Sequence, residues 1–313
     1  MLIESARYIA EQPDGKVGKN INVSLFGQEK NLGTWAIGKL NMLLHNFMDA
    51  DLRKGDTLTA PQHKNGSNEL TLFDRVIANP PFSMDGWWTP AENSIEVKLG
   101  KEKKVTPDYK KAVTDPYGRF QYGIPPRGYA DLAFLQHMVA VLKQDGKAGV
   151  VLPHGTLFRS GAEGDIRKGL LEADLVEGTV GLPSALFCNT GTPASVWIIN
   201  KNKTAAQKGK VPIIDASADY KEGKNQNELL AEHIAKIVKA YDEAVDIDKY
   251  TRIVAIAEIA ENDYNLNISR FIDTSEEEVE VDIKAVHQKL AALEQREAAI
   301  DTKLAVFLKE LGI

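Results

Sequence analysis

The sequence predicts an α/β protein with a doubly wound, mostly parallel sheet that is followed by a helical tail. Short apolar runs rich in Val and Ile, each bounded by Gly, Pro or Asn, indicate buried strands. These runs alternate with segments whose apolar residues recur every three or four positions, which is typical of βαβ units. We assign residues 1–220 to the sheet domain and residues 221–313 to a helical region that ends in a tail over residues 276–313.

The individual elements follow from these two periodicities. Runs that are apolar almost throughout are expected where both faces of a sheet are covered. The predicted helices cover residues 2–12, 32–45, 131–142, 157–171 and 226–245. The predicted strands cover residues 21–26, 72–78, 147–153, 175–180, 193–199 and 211–215, with a further strand or its approach before Lys54.

Composition limits the classes of function. The chain has 43% hydrophobic and 26% charged residues, and it contains neither an apolar run long enough for a bilayer nor a secretory signal. The single cysteine, Cys188, excludes an internal disulfide and fits a reducing compartment. The histidines show no metal-ligand spacing, so we expect a cytoplasmic globular protein without a metal site.

The most informative stretch is residues 72–82, where an apolar run ends in Asn79-Pro80-Pro81-Phe82. Each proline holds the preceding residue in extended geometry and lacks an N–H, so this corner is rigid. It follows a strand at its carboxyl end, where open α/β sheets bind ligands. The side-chain oxygen of Asn79 and the carbonyl oxygen of Pro80 can each accept one N–H of a planar amino group, and Phe82 can stack on its ring. A base in a duplex reaches such a corner only after it is flipped out.

Two acidic residues occupy comparable positions. Glu29 follows the second predicted strand, where a carboxylate can accept both ribose O–H groups in a nucleoside-binding fold. Asp56 follows a turn at Gly55 and can accept an adenine amino N–H. Either acid alone is more simply a surface residue. Together with Asn79, however, they make three polar signals at successive strand ends, which is a stronger indication than any single motif.

Residues 83–128 are predicted to form a long irregular insertion that combines tryptophans with lysines and arginines. Insertions of this length in compact domains are usually functional or disordered. Basic residues near Trp87 and Trp88 suit phosphate contacts and base stacking, while a solvated mobile loop explains the same composition. The net charge is −6, so a grip on nucleic acid needs either a local basic face or a partner, and we favour the partner.

Several further stretches resemble sequence motifs of one known protein family. They are residues 27–29 with Trp35 and 41–45, then 54–58, 120–126, 130–137, 149–153 and 263–270. With the Asn79–Phe82 corner, which resembles motif IV of the amino-methyltransferases, they make the chain similar to the HsdM-like modification subunits of type I restriction–modification systems. That family methylates adenine N6 in double-stranded DNA, and the resemblance covers essentially the whole chain.

The resemblance implies a class I S-adenosylmethionine-dependent methyltransferase fold. By this resemblance Glu29 binds the ribose of the cofactor, and the turn that holds Asp56 and Leu58 binds its adenine, with Asn79 as a further cofactor contact. The implied catalytic residues, which hold and stack a flipped-out adenine, are Asn79, Pro80, Pro81 and Phe82. The methyl group passes in line from sulfonium to N6, so the enzyme contributes positioning and electrostatic stabilisation.

The chain departs from the family in one respect. The family's first motif, a glycine-rich loop of the Asp-Pro-Ala-Cys-Gly-Ser-Gly-Gly type, is not found, and residues 1–6 resemble the segment directly after it. That loop cradles the methionine part of the cofactor in the family. We therefore expect a truncated form that lacks the first strand, leaves a gap between the strands ending near Glu29 and Asn79, and has impaired cofactor binding and activity.

The tail shows a sustained heptad pattern, which favours coiled-coil pairing over packing on its own domain. The seam residues are Ile283, Val286, Leu290, Leu293, Glu297, Ile300, Leu304, Phe307 and Leu311. In the resembling family this tail packs against the specificity subunit, which grips DNA, and the restriction subunit completes the complex. Such a division of labour would account for the acidic net charge.

Three functions are weighed at this point. The first is a DNA adenine-N6 methyltransferase subunit, and the second is a non-catalytic assembly remnant that keeps the tail. The third is a methyltransferase acting on protein glutamine or RNA, because those enzymes share the Asn-Pro-Pro-aromatic loop. The stretches around Gly123 and Asn265, together with the tail, favour the DNA enzyme over the third function.

Overall fold

The computed structural model of the chain describes residues 1–17, 20–88, 115–187, 190–274 and 283–310. It has two compact units, Met1–Asp273 and Thr274–Ile313. Residues 221–273 therefore belong to the unit that holds the sheet, because a strand in this segment extends that sheet at one edge. The structural division comes later in the chain than the boundary at residue 220 that the sequence indicates.

The first unit contains ten described strands and six described α-helices. The strands are β1 (Lys16–Val17), β2 (Asn20–Ile21), β3 (Phe26–Glu29), β4 (Asp51–Lys54), β5 (Phe73–Ala78), β6 (Leu142–Pro153), β7 (Val176–Gly181), β8 (Ala194–Asn200), β9 (Lys210–Asp215) and β10 (Thr251–Ala255). The helices are α1 (Leu2–Ala10), α2 (Leu32–Leu44), α3 (Asp131–Ala140), α4 (Ala162–Glu172), α5 (Ala231–Glu243) and α6 (Ile256–Glu261), with 3-10 turns at His154–Leu157 and Ile268–Arg270.

The main sheet has six strands in the order β10-β9-β7-β8-β6-β5. Strand β5 is parallel to β6 and β7 is parallel to β9, whereas the β6–β8, β7–β8 and β9–β10 pairs are antiparallel. The α/β class is confirmed, but the sheet is mixed where the sequence predicted a mostly parallel one. The described residues between β7 and β8 contain no helix, so β8 returns beside β7 in the antiparallel sense that a connection without a crossover allows.

Strands β3 and β4 form a separate parallel pair in which Glu29 is opposite Lys54. The sequence predicted the first of these strands over residues 21–26, but Ile21 pairs with Lys16 in a hairpin and the strand begins only at Phe26. In the described residues β3 and β5 do not pair with each other. Their first residues still meet, because the Phe26 and Phe73 rings lie 5.2 Å apart.

The core of the first unit lies between the sheet and helices α3 and α4, and it is an apolar cluster of the kind expected for a sheet covered by helices. Its fully buried members include Leu135 on α3, Leu152 on β6, Ile166 on α4 and Trp197 on β8. This core holds the carboxyl end of β6 and the start of α3 in place. Both of these elements border the corner that follows β5.

The insertion differs from its predicted role where the structure describes it. The tryptophans Trp87 and Trp88 are only 2% and 8% exposed, and they pack with Leu58 and Ala133 in one apolar cluster. They are therefore core residues and are unavailable for base stacking, so that expectation was wrong. The insertion's lysines between residues 98 and 111 lie outside the described residues.

The second unit contains the described helix α7 (Ile283–Glu310). Its described seam residues are exposed, and they are Val286, Leu290, Leu293, Glu297, Ile300 and Leu304. The apolar stripe that the sequence predicts is thus open along this helix. In the described part of the chain, no helix combines the length and apolar character that a bilayer span requires.

Candidate functional site

The corner after β5 consists of Asn79, Pro80, Pro81 and Phe82. Asn79 is exposed, Pro80 is buried and Phe82 is half-buried. Within the described residues, neither the Asn79 carboxamide nor the Pro80 carbonyl has a hydrogen-bond partner. The Phe82 ring meets the Phe187 ring edge to face, with centroids 5.8 Å apart. The carboxyl end of β5 is therefore followed by two oxygen acceptors without a described hydrogen-bond partner and by an aromatic ring.

The chain leaves this corner through an unusual backbone conformation at Ser83. Its φ of 50° lies in the left-handed region, which costs an L-residue other than glycine about 1–2 kcal/mol. The Ser83 N–H donates to Oδ1 of Asp131, at 2.8 Å. Asp131 is fully buried at the start of α3, and burial raises the pKa of its carboxyl although Ser83 and Arg159 oppose that shift. A buried carboxylate thus anchors the exit from the corner.

Glu29 ends β3 and adjoins the start of α2. Its Oε1 accepts the Asn31 N–H at 2.7 Å, and the Asn31 side chain caps the helix by accepting the Thr34 N–H. No hydrogen bond reaches the second carboxylate oxygen of Glu29 from the described residues. That oxygen is available for a ligand hydroxyl, as the sequence predicts for a ribose contact.

Asp56 lies in the turn after β4 and is already well satisfied. Its Oδ1 accepts the N–H groups of Leu58 and Thr59 at 2.9 and 3.2 Å, and Lys30 lies 2.7 Å from its Oδ2. Burial alone would raise the pKa of Asp56, but the hydrogen bonds from Lys30 and the two backbone amides outweigh it, so the pKa is lowered. A ligand N–H that approaches Oδ2 of Asp56 must either displace Lys30 or share this oxygen with it. The Lys30 side chain is 71% exposed.

The same turn is also held by Arg119, one of the basic residues of the insertion that suit phosphate contacts by sequence. Arg119 is 2% exposed and donates to the Thr57 and Leu58 carbonyls at 3.2 and 2.6 Å. Its side chain also bonds Asp115 at 2.9 Å and His137 Nδ1 at 3.1 Å. Burial, with the nearby charge of Arg119, lowers the pKa of His137 to about 3, so its neutral ring can accept that bond.

Contacts link Glu29 with Asp56 and link the turn after β4 with the segment that follows the corner. Glu29 and Asp56 are joined through the β3–β4 pair and through Lys30, which follows one and contacts the other. Leu58 is fully buried in the cluster that contains Met84 and Trp87, so the turn after β4 packs on the segment that follows the corner. Leu58 therefore supports the turn by its side chain, while its backbone N–H orients Asp56.

Sequence reasoning missed Asp131 and Arg119 as parts of the site. Nothing in the local pattern distinguishes them, because Asp131 is an ordinary acid in the first turn of a helix and Arg119 lies in an irregular stretch. Their partners are 48 and 61 residues distant in the chain. In the described residues, no cluster of three His, Cys, Asp or Glu side chains could hold a metal ion.

Comparison with known proteins adds independent information. The sequence profile of the N-6 DNA methylase family matches residues 1–280. The methylase subunit of type I restriction enzyme MjaVIII from Methanocaldococcus jannaschii is 39% identical over 301 residues, covering 94% of this chain and 47% of that protein. The methylase subunit of type I restriction enzyme HindI from Haemophilus influenzae is 33% identical over 320 residues, covering 99% and 65%.

Solved structures agree with the sequence relatives. The methyltransferase subunit of a type I restriction–modification system from Streptococcus thermophilus has a TM-score of 0.70 at 38% identity, covering 87% of this chain and 52% of that one. The EcoKI M protein has a TM-score of 0.61 at 22% identity, which shows a shared fold.

These matches confirm the predicted class I methyltransferase fold and the resemblance to type I modification subunits. The chain spans 47% and 65% of the lengths of the two named relatives. The family profile covers most of the sequence, and both relatives exceed 30% identity over more than nine-tenths of it. On these grounds the chain belongs to the N-6 DNA methylase family.

Proposed function

We propose that this chain is the adenine-N6 DNA methyltransferase subunit of a type I restriction–modification system, and that its cofactor is S-adenosylmethionine. The observation that carries the proposal is the corner after β5, where the Asn79 carboxamide and the Pro80 carbonyl are both free and Phe82 lies beside them. Membership in the N-6 DNA methylase family supports the same chemistry.

The corner has a defined part in the reaction. The Asn79 side-chain oxygen and the Pro80 carbonyl each accept one N–H of the adenine amino group, which pulls N6 towards tetrahedral geometry and exposes its lone pair. Pro81 keeps Pro80 extended, and Phe82 stacks on the extruded base. The two oxygens also stabilise the positive charge that develops on N6, and the product nitrogen loses its proton to water. S-adenosylmethionine, when bound, supplies the electrophilic methyl group.

The acids at the ends of β3 and β4 suit the nucleoside part of this cofactor. Glu29 has an unbonded carboxylate oxygen for the ribose hydroxyls, and Asp56 faces the adenine amino group from a turn supported by Leu58. The turn is closely packed, because a Cβ on Gly55 would lie 2.7 Å from the Gln62 side chain. These contacts leave the methionine part of the cofactor without an assigned partner in the chain.

Lys30 competes with the cofactor for Asp56, which gives a direct test of this assignment. We expect Lys30→Gln to raise the affinity for S-adenosylmethionine by up to about fivefold, because an exposed ion pair is worth at most about 1 kcal/mol. Isothermal titration measures the change. Lys168→Gln, which breaks another exposed ion pair with Glu172, is the control and should have no effect. Equal affinities of the wild type, Lys30→Gln and Lys168→Gln would contradict the assignment of Asp56 to the cofactor site.

The exposed seam of α7 supports a specificity subunit as the partner of this helix, with double-stranded DNA and a restriction subunit completing the assembly. We expect Leu290→Asp to weaken binding of the specificity subunit by about 30-fold or more, because a charge would replace an apolar anchor. Ala292→Asp adds the same charge off the seam of the same helix and should bind normally. Titration of labelled specificity subunit measures both, and equal weakening by the two variants would contradict the seam assignment.

A methyl-transfer assay tests the function as a whole. The chain is combined with a specificity subunit, labelled S-adenosylmethionine and duplex DNA, and the product is digested to nucleosides. A parallel sample uses a form extended at its amino end by the segment that precedes the match in its relatives. N6-methyl-2′-deoxyadenosine in the digest is the expected product. Binding of the specificity subunit without methylation by either form would instead support the second candidate, a non-catalytic assembly protein that binds through the exposed seam of α7.

The same assay separates the remaining substrates. RNA or a glutamine-containing peptide replaces DNA in further samples, and methylation of either in place of DNA would overturn the proposed substrate. A cytoplasmic location follows from this function and stays a prediction.

A further inference from the structure

The prolines make the corner rigid only as far as Pro81. They fix their own φ angles and restrict the residues before them, but Phe82, which carries the stacking ring, has no such restraint. The direction of Phe82 therefore depends on how the chain continues through Ser83. That residue has a left-handed φ of 50°, a conformation that persists only where surrounding structure imposes it.

Asp131 imposes that conformation through a single hydrogen bond. Its Oδ1 accepts the Ser83 N–H at 2.8 Å, and no other described amide from residue 79 to residue 85 has a recorded hydrogen bond. Asp131 is itself immobile, because it is fully buried at the start of α3 and is followed by the buried Leu132 and Ala133. The exit from the corner is thus attached to a rigid helix.

The second carboxylate oxygen of Asp131 is held by Arg159. Nη1 of Arg159 lies 3.4 Å from Oδ2 of Asp131 and 3.4 Å from Oε1 of Glu163, and its guanidinium stacks over the Tyr129 ring at 4.3 Å. Arg159 also fills the space over Gly155, where a Cβ would lie 2.7 Å from its Nε. Gly155 is in the turn that follows β6, the strand beside β5. The ion pair between the buried Asp131 and the partly exposed Arg159 therefore connects the corner, α3 and the end of β6.

We propose that Asp131 is a positioning residue for the Asn79–Phe82 corner, that it sets the direction of Phe82 through the Ser83 amide, and that Arg159 keeps its carboxylate in place. Asp131 does not touch the substrate in this arrangement. Its effect on methyl transfer rests on the proposed function. Its hydrogen bond with the Ser83 N–H is a property of the folded chain.

Amide hydrogen exchange tests the hold without any activity. Prolines have no amide, so residues 79–84 report through only four N–H groups, and Ser83 is the one that is bonded to a side chain. We expect Asp131→Ala to speed exchange at Ser83 by about tenfold or more, because a hydrogen bond to a charged acceptor is lost. Asp131→Asn keeps an acceptor oxygen and should give a smaller increase.

Asp174 provides a matched control within the same unit. It also accepts a backbone N–H, from Gly209 at 3.1 Å, and pairs with a buried cation, Lys203 at 2.6 Å. Asp174→Asn should therefore perturb the fold comparably while leaving Ser83 exchange unchanged. Unchanged exchange at Ser83 in both Asp131 variants would overturn the proposal. If Asp131→Ala does not fold, the Asp131→Asn result decides.

Activity measurements then connect the hold to catalysis. With the amino-extended form, we expect Asp131→Asn to lower kcat by about tenfold and to leave the affinity for S-adenosylmethionine unchanged. A second readout uses DNA with 2-aminopurine at the target adenine, whose fluorescence falls when the base stacks on Phe82. We expect Asp131→Asn to quench this fluorescence less than the wild type does. A general loss of stability would instead lower cofactor affinity and kcat together, as in Asp174→Asn. Faster Ser83 exchange in Asp131→Ala, together with a wild-type chain that does not methylate DNA, would contradict the proposed function and leave the hold on Ser83 intact. Normal kcat despite faster exchange would overturn the positioning role.

Discussion

Replacing Asn79 by alanine is expected to lower methyl transfer to adenine by at least about 100-fold while leaving the affinity for S-adenosylmethionine largely intact. The carboxamide oxygen is exposed and has no partner among the described residues, so its removal leaves no buried polar group unsatisfied. The fold should be unaffected for the same reason. The adenine amino group, however, loses one of two acceptors that stabilise the charge developing on N6.

The measurement is a single-turnover methyl-transfer rate with the specificity subunit and duplex DNA, beside a cofactor titration and a thermal unfolding scan. Asn79→Asp is the informative companion, because it keeps an acceptor oxygen at the same place. It should retain a substantial part of the rate. A wild-type rate in Asn79→Ala, or an equal loss of cofactor binding, would show that the corner does not hold the target base.

Replacing Arg119 by methionine is expected to destabilise the chain by about 3–5 kcal/mol, because breaking a buried ion pair leaves its partner charged and unpaired. Asp115, 2.9 Å away, would lose its cation, and the carbonyls of Thr57 and Leu58 would lose their donors. The turn that presents Asp56 would then be held only by its apolar packing. We therefore expect the cofactor affinity to fall as well, even at a temperature where the variant is folded.

Urea unfolding followed by circular dichroism measures the stability, and isothermal titration measures the cofactor affinity. Arg53→Met is the matched control, since Arg53 also pairs with an aspartate, Asp51 at 2.7 Å, and donates to the Gln62 carbonyl at 2.7 Å. Arg53 is 43% exposed, so its loss should cost at most about 1 kcal/mol. Equal effects of the two substitutions would mean that burial of Arg119 has no special role.

The elements that sequence reasoning located well are those governed by local rules. The corner at Asn79 follows directly after β5, and its two prolines restrict the backbone there by a rule that acts on neighbouring residues. Helices α2 and α3 begin at the predicted residues 32 and 131, because helical periodicity is visible within a single segment. The strand predicted over residues 21–26 is divided in the structure, because Ile21 pairs with Lys16 whereas Phe26 pairs with Asp51. Strand pairing depends on distant segments and is not visible in the local pattern.

The amino-acid sequence by itself determined the α/β class, the proline corner and the polar residues at the ends of β3, β4 and β5, since φ restriction and periodicity act over a few residues. Only the tertiary structure decided the mixed sheet, the burial of Trp87 and Arg119, and the attachment of Ser83 to Asp131. The physical reason is that the structural role of a polar side chain depends on the buried groups with which it forms hydrogen bonds or ion pairs. These partners are decided by how distant elements pack. Nothing in the local sequence pattern indicates a contact between residues 61 positions apart, such as Arg119 and Leu58.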